Sequence, residues 1–245
     1  MCRLILARGD FRTDDVVDAA LAMSTGVTAD HEGPTRIHPN GWGAVWRDPA
    51  AEGGLRIHRD VRSMADSLHE SPVRSVRSNF LTIHTRHATL RRNAGLQFTH
   101  PLERIEDGFV WYFMHNGFLP TVYQQLGLPR SEFDSAEYFQ YIVPRDSMTI
   151  DEDETRLRLR AIPPGGTSGN SVAVNREYAY VIHWASEPNH SPRYYRMHRL
   201  VRPNLLVVSS EIIPSLAAPV EWDPLKPEQI LTIPLNVAGK LKGPQ

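Results

Sequence analysis

The sequence predicts an α+β protein in which antiparallel sheets pack on one another and a few helices cover their outer faces. Three observations carry this expectation. Short β-rich runs recur along the chain and dominate its second half. Hairpin signals join neighbouring runs. The helical segments fall among the strands too irregularly for a doubly wound parallel sheet.

The elements follow in order. Cys2–Ala7 alternates enough to form a strand. Thr13 or Asp14 caps a helix running through Met23, with Val17, Ala20 and Leu21 on one side. Trp42–Arg47 reads as a strand and Leu55–His58 as its hairpin partner, followed by a helical Val61–His69. Phe80–Thr85 and Phe109–His115 are β-rich. Leu119–Leu126, Ser135–Val143 and Glu152–Arg160 read as helices. Ser171–Val174 and Tyr178–Trp184 flank the turn residues Asn175-Arg176-Glu177. Arg193–Arg199, Leu205–Ser209 and Gln229–Ile233 complete the strands. Pro and Gly cluster at 33–43, 163–169 and 188–192 as loop signals. No composition shift divides the chain, so residues 1–245 are expected to form a single domain.

Composition narrows the function classes. The net charge of −1 leaves no electrostatic footprint for nucleic acid or a membrane surface. No apolar run approaches the ~20 residues of a membrane span. The opening MCRLILARGDFRTDD has its apolar run broken by Arg8 and Asp10, unlike a signal peptide. A cytoplasmic location is expected. One cysteine excludes an internal disulfide framework and any multi-cysteine metal site. The 11 histidines are scattered and lack a metal-binding spacing, so neither a metal nor another cofactor is expected.

That single cysteine, Cys2, directly follows the initiator Met1. Removal of Met1 would leave one residue carrying both a thiol and a free α-amine, and an amine with a pKa of roughly 7.7–8.0 can serve as its base. Four further segments are candidates for chemistry. Gly41-Trp42-Gly43 is a glycine-lined loop, or merely a turn with a packed tryptophan. His84-Thr85-Arg86-His87-Ala88-Thr89 ends a strand with an arginine suited to gripping a carboxylate. His115-Asn116-Gly117 closes another strand with a turn dipeptide. Its Asn amide and Gly N–H are two donors able to converge on one oxygen. Asp134-Ser135-Ala136-Glu137 opens a helix, either as a cap or as an anionic grip for an ammonium group.

Taken in order, these segments resemble the class II glutamine amidotransferases, which belong to the N-terminal nucleophile hydrolases. Cys2, the HTRHAT segment and the MHNG segment are the specific part. Pro39–Trp46, His84–Pro101, Phe113–Leu119, Asp134–Tyr141 and Val207–Ile213 also look like family segments. The resemblance implies a four-layer α-β-β-α sandwich with antiparallel sheets. It implies that Cys2 attacks a side-chain amide to give a γ-glutamyl thioester, which water then hydrolyses. Asn116 and Gly117 would form the oxyanion pair, Arg86 with Thr89 beside it would hold the substrate α-carboxylate, and Asp134 would hold the α-amine. Relatives usually read D-S-E where this chain reads D-S-A-E, so either Asp134 or Ser135 takes the acid's place. They also often read N-H-P where this chain has Thr99-His100-Pro101.

The implied activity is amidohydrolysis of glutamine or a γ-glutamyl conjugate, similar to the amidohydrolase of ergothioneine biosynthesis. The small-molecule amide is the expected partner. The alternatives are a glutaminase subunit feeding ammonia to a separate synthase, and an inactive relative that binds amino acids or a partner protein. Trp42, Arg8 and the 186–193 loop are candidate walls for the leaving amine.

Overall fold

The computed structural model describes residues 2–90, 92–106, 108–186 and 191–236. Its strands are β1 (Arg3–Gly9), β2 (Trp42–Arg47), β3 (Leu55–Asp60), β4 (Phe80–Thr85), β5 (Leu102–Glu106), β6 (Phe109–Gly117), β7 (Gly169–Val174), β8 (Tyr178–His183), β9 (His198–Arg202), β10 (Leu205–Ser209), β11 (Trp222–Pro224) and β12 (Gln229–Pro234). The α-helices are α1 (Thr13–Ser24), α2 (Met64–Ser67), α3 (Asp134–Ile142), α4 (Glu152–Ala161) and α5 (Pro192–Tyr195). The strands form a seven-stranded sheet, β11-β9-β10-β1-β4-β2-β3, and a five-stranded sheet, β12-β8-β7-β6-β5. All the strand pairs within them are antiparallel.

Period-two alternation sorts the side chains into layers. In β1, Leu4 and Leu6 join Val45, Phe80, Met114, Val172 and Val181 in an apolar layer between the sheets. The intervening Ile5 and Ala7 pack beneath Val16, Val17, Ala20 and Met23 of α1. In β6, Trp111 and Phe113 face the opposite way and meet Tyr138, Phe139 and Ile142 of α3. The order helix, sheet, sheet, helix is therefore the expected four-layer sandwich.

Most elements lie where the sequence places them, and the departures have local causes. Thr13 does not cap α1: the cap position is Arg12, and the Thr13 hydroxyl donates to the Val76 carbonyl at 2.7 Å. Asp14 and Asp15 still place negative charge in the first turn, where it favours the helix. The helix expected over Leu119–Leu126 is a 3₁₀ turn over Val122–Leu126, ended by Gly127 at φ +67°. The strand expected at Arg193–Arg199 is instead helical through α5 and becomes β9 only at His198. Pro192, at the start of α5, suits that turn. Two edge strands escape the sequence reading. β5 carries Glu103, Arg104 and Glu106, and β11 is three residues ending in a proline.

The α3 layer depends on aromatic packing. Phe113 stacks on Phe139 with ring centroids 4.9 Å apart and meets Tyr138 edge-on at 5.5 Å. Phe113→Ala is expected to destabilise the protein by about 3–5 kcal/mol, the usual cost of a large core deletion. Urea unfolding would measure this. A loss below about 1 kcal/mol would show that α3 is held by something else.

Candidate active site

Strand polarity gathers the site. Because β1 and β4 run antiparallel with Arg3 opposite Thr85, the residue before β1 and the residue after β4 are neighbours. These are Cys2 and Arg86. The second sheet, stacked across the apolar layer, brings up the end of β6, and α3 begins beside it. One cavity of about 30 Å³ is lined by Cys2, Arg86, Thr89, Gly117, Asp134 and Ser135, together with His100, His115 and Phe133.

Cys2 is 7 % exposed, and its Sγ lies 3.9 Å from the His87 carbonyl oxygen. Burial pushes the thiol pKa up, while the positive charges of the chain's amino terminus, Arg86 and Arg3 oppose that rise. Arg86 is buried, and its guanidinium donates to the carbonyls of Asn93 at 2.7 Å and Asn40 at 3.3 Å. Among the described residues no carboxylate forms an ion pair with it. Burial lowers its pKa, and Cys2 and Asp134 pull in the opposite direction. Asp134 is likewise buried. Its Oδ2 accepts from the Leu119 N–H at 2.8 Å, and it has no ion-pair partner among the described residues. The cavity thus has one unpaired cation and one unpaired anion in its walls.

The D-S-A-E segment divides its tasks. Glu137 does the capping work, accepting from the Glu132 N–H at 2.7 Å, the Phe133 N–H at 3.1 Å and the Ser131 hydroxyl at 2.8 Å. Ser135 Oγ is engaged with His115 Nδ1 at 3.0 Å. The Asp134 carboxylate takes no part in the cap, because the cap position is Phe133.

Asn116-Gly117 is not a turn. It is the paired end of β6, with Asn116 opposite Asn170 and Gly117 opposite Gly169 of β7. Gly117 is dictated by space, since a Cβ there would come within 1.7 Å of the Ser168 carbonyl oxygen. Gly117 lines the cavity. Asn116 lies behind it, fully buried, with Nδ2 3.4 Å from Ser210 Oγ. Ser210 Oγ also accepts from the Leu4 N–H at 3.0 Å, which ties the Asn116 amide to the strand that carries Cys2.

Two of the proposed amine-side walls lie elsewhere. Trp42 is fully buried, with Nε1 donating to Ser67 Oγ at 2.8 Å. Arg8, at the far end of β1, donates to the Pro234 carbonyl at 3.1 Å. Within the 186–193 loop, residues 187–190 lie outside the described residues. Gly41 and Gly43 matter through close approach instead. A Cβ on Gly43 would meet the His100 carbonyl oxygen at 2.3 Å.

A buried cluster behind Cys2 was not legible in the sequence as a set of contacts. Arg3 is fully buried. It pairs with Glu211 at 2.5 Å, donates to the Cys2 carbonyl at 3.1 Å, and lies 4.3 Å from the centroid of the Tyr194 ring. Its Nη2 is 2.6 Å from His31 Nε2. A guanidinium only donates, so the neutral His31 carries its proton on Nδ1. The charge pattern gave one clue, an arginine inside an otherwise apolar strand, but its partner lies over 200 positions away (|i−j| = 208).

The fold, with its nucleophile candidate at the head of a central strand, is that of the N-terminal nucleophile hydrolases. Residues 1–148 match the family "Glutamine amidotransferases class-II", and the chain belongs to that family, whose members act on amide C–N bonds. Among solved structures it is similar to the glutamine phosphoribosylpyrophosphate amidotransferase from B. subtilis complexed with ADP and GMP. The TM-score is 0.67 and the identity 15 %, over 95 % of this chain and 47 % of that one. A class II domain protein from Silicibacter pomeroyi matches with a TM-score of 0.58 and 17 % identity, over 94 % of both chains. The allosteric regulatory enzyme of purine biosynthesis matches with a TM-score of 0.63 and 18 % identity, over 95 % of this chain and 47 % of that one. The chain therefore spans about half the length of the two larger relatives, and at these identities the likeness is one of fold. A search of curated proteins finds no match. No helix among the described residues is long and apolar enough to cross a membrane.

Buried histidines make stability depend on pH. Burial lowers the pKa of His84 to about 3 and those of His183 and His198 to about 4. In the unfolded chain a histidine takes up its proton near pH 6.5. The unfolded state thus binds more protons as pH falls below about 6.5, and stability is lost progressively down to about pH 3–4. Urea midpoints should be flat above neutrality and lower at pH 5 than at pH 7.5. Equal midpoints at the two values would contradict burial of neutral imidazoles.

Proposed function

We propose that the protein hydrolyses a γ-glutamyl amide through a thioester on Cys2, releasing glutamate and either ammonia or a larger amine. The observation that carries this reading is the pair of unneutralised charges, Arg86 and Asp134, in the walls of the cavity that Cys2 lines. An α-amino acid head group is a zwitterion, and it satisfies both charges at once. Arg86 suits the α-carboxylate because its planar fork donates two parallel hydrogen bonds. Thr89 stands on the rim beside it, and Asp134 accepts from the α-ammonium.

The chemistry follows from this placement. Removal of Met1 frees the Cys2 α-amine, which takes the thiol proton. The thiolate forms a bond to the γ-carbonyl carbon, and the carbonyl π pair moves onto oxygen. The Gly117 N–H and the Asn116 amide are the donors proposed for that oxyanion. Asn116 must swing its Nδ2 from Ser210 toward the cavity to take part. Collapse breaks the C–N bond, and the leaving nitrogen takes the proton held by the α-amine. Water, deprotonated by the same amine, then cleaves the thioester.

Cys2→Ala should abolish turnover with the fold retained, and Cys2→Ser should retain only a trace, since a hydroxyl ionises far less readily than a thiol. A glutamine analogue bearing an electrophile at the γ position should label Cys2 alone, and intact mass should show active protein beginning at Cys2. Normal turnover by Cys2→Ala, or full activity with Met1 retained, would overturn the mechanism. Asn116→Ala should lower kcat by roughly 10²–10³ with a smaller change in KM. A raised KM at unchanged kcat would reduce Asn116 to a binding residue. A panel of γ-glutamyl amides, with glutamine among them, identifies the leaving amine.

A further inference from the structure

His100 has an unusual position for a histidine. It is 2 % exposed, and neither Nδ1 nor Nε2 has a hydrogen-bond partner in the protein. Buried polar atoms are nearly always satisfied, so an imidazole with both nitrogens unmet needs an explanation. It cannot readily turn away to find one. The His100-Pro101 backbone crosses directly over β2, where only the missing side chain of Gly43 leaves room. Its ring packs against His84, with centroids 4.3 Å apart, and lies 6.2 Å from Phe133. His84 does not serve as its partner: its Nε2 is engaged with the His115 carbonyl at 3.1 Å, and its Nδ1, likewise unmet, makes no hydrogen bond to the His100 ring, which it meets at a 46° tilt. The open side of His100 is the cavity that Cys2, Arg86 and Asp134 also line.

We propose that His100 is a specificity-determining residue that donates a hydrogen bond from its neutral imidazole to the α-carboxylate of the glutamyl group, alongside Arg86. This rests on the glutamyl reading of the cavity given above. A carboxylate has about four acceptor positions, and the Arg86 fork fills two of them. Charge balance favours a neutral second donor, since Arg86 and Asp134 already match the zwitterion and another cation would leave one charge unpaired. Burial holds His100 well below the ordinary histidine pKa, and the neighbouring His84, His115 and Arg86 push it the same way. His100 and Arg86 line the same cavity, so both can face one carboxylate held there.

The test uses ligand binding, so it does not depend on which amine leaves. Calorimetric titration of the full chain would compare L-glutamate, 4-aminobutyrate, which lacks the α-carboxylate, and glutarate, which lacks the amine. His100→Ala should weaken L-glutamate and glutarate by roughly 10–100-fold, the value of a hydrogen bond to a charged group, and leave 4-aminobutyrate within about twofold. His100→Gln, which keeps a neutral donor, should recover much of the loss. It also guards against misfolding of the alanine variant, with thermal melts run on both. Equal weakening of L-glutamate and 4-aminobutyrate, or no weakening, would overturn the assignment. So would a loss confined to ligands that carry the amine. If the unaltered protein binds glutamate but the His100 variants bind it equally well, only this inference fails. If the unaltered protein binds no glutamate, the glutamyl reading fails and takes the His100 contact with it.

Discussion

The apolar layer between the two sheets fixes how the strand ends that flank the site face one another. Leu4 and Leu6 of β1 face Met114 of β6 and Val172 of β7 across it, all essentially excluded from water. Sheets packed this way hold their spacing near 10 Å, and side chains from both inner faces interdigitate. The registers of β1 and β6 are thereby fixed to one another. Cys2 immediately precedes one strand and Gly117 ends the other, so the relative positions of these two residues are a property of the core. A slip of one residue in either strand would exchange its buried face for its other face, which the apolar pattern forbids.

The surrounding electrostatics divide into two kinds. Behind Cys2, the Arg3–Glu211 pair is closed: each charge has its opposite, and Thr28 satisfies the second carboxylate oxygen. In front, Arg86 and Asp134 are held by neutral backbone groups and left without counter-charges. Buried charges cost most when unpaired, so stability alone gives no reason to keep the front pair open. A closed pair behind Cys2 and an open pair before it set a fully satisfied strand against a cavity wall whose two charges have no ion-pair partner among the described residues.

The sequence shows the fold in the elements with strong local signals. Phe80–Thr85 and Leu205–Ser209 have the predicted bounds, because both are apolar runs buried deep in a sheet. The short edge strands β5 and β11 are invisible for the opposite reason: three of the five residues of β5 are charged and β11 is only Trp222-Asp223-Pro224, so pairing with a neighbouring strand is what marks them as extended. In the site, residue types were readable and relations were not. Asn116-Gly117 looks like a turn until β7 pairs with it. Glu211 looks like any acidic residue until the chain brings it to Arg3, and His100 gives no sign in the sequence that its nitrogens will be left unmet.

β1 lies inside the seven-stranded sheet, and its two neighbours come from very different parts of the chain. Ile5 pairs with Ile83 on one side and with Ser209 on the other. During synthesis, at about 5–20 residues per second, the second neighbour emerges roughly 10–40 s after the first residues leave the ribosome. Throughout that interval the edge of β1 that takes β10 has no partner strand, and Arg3 has no Glu211 to pair with. Once β10 docks, Arg3 closes on Glu211 and the same end of the strand becomes interior.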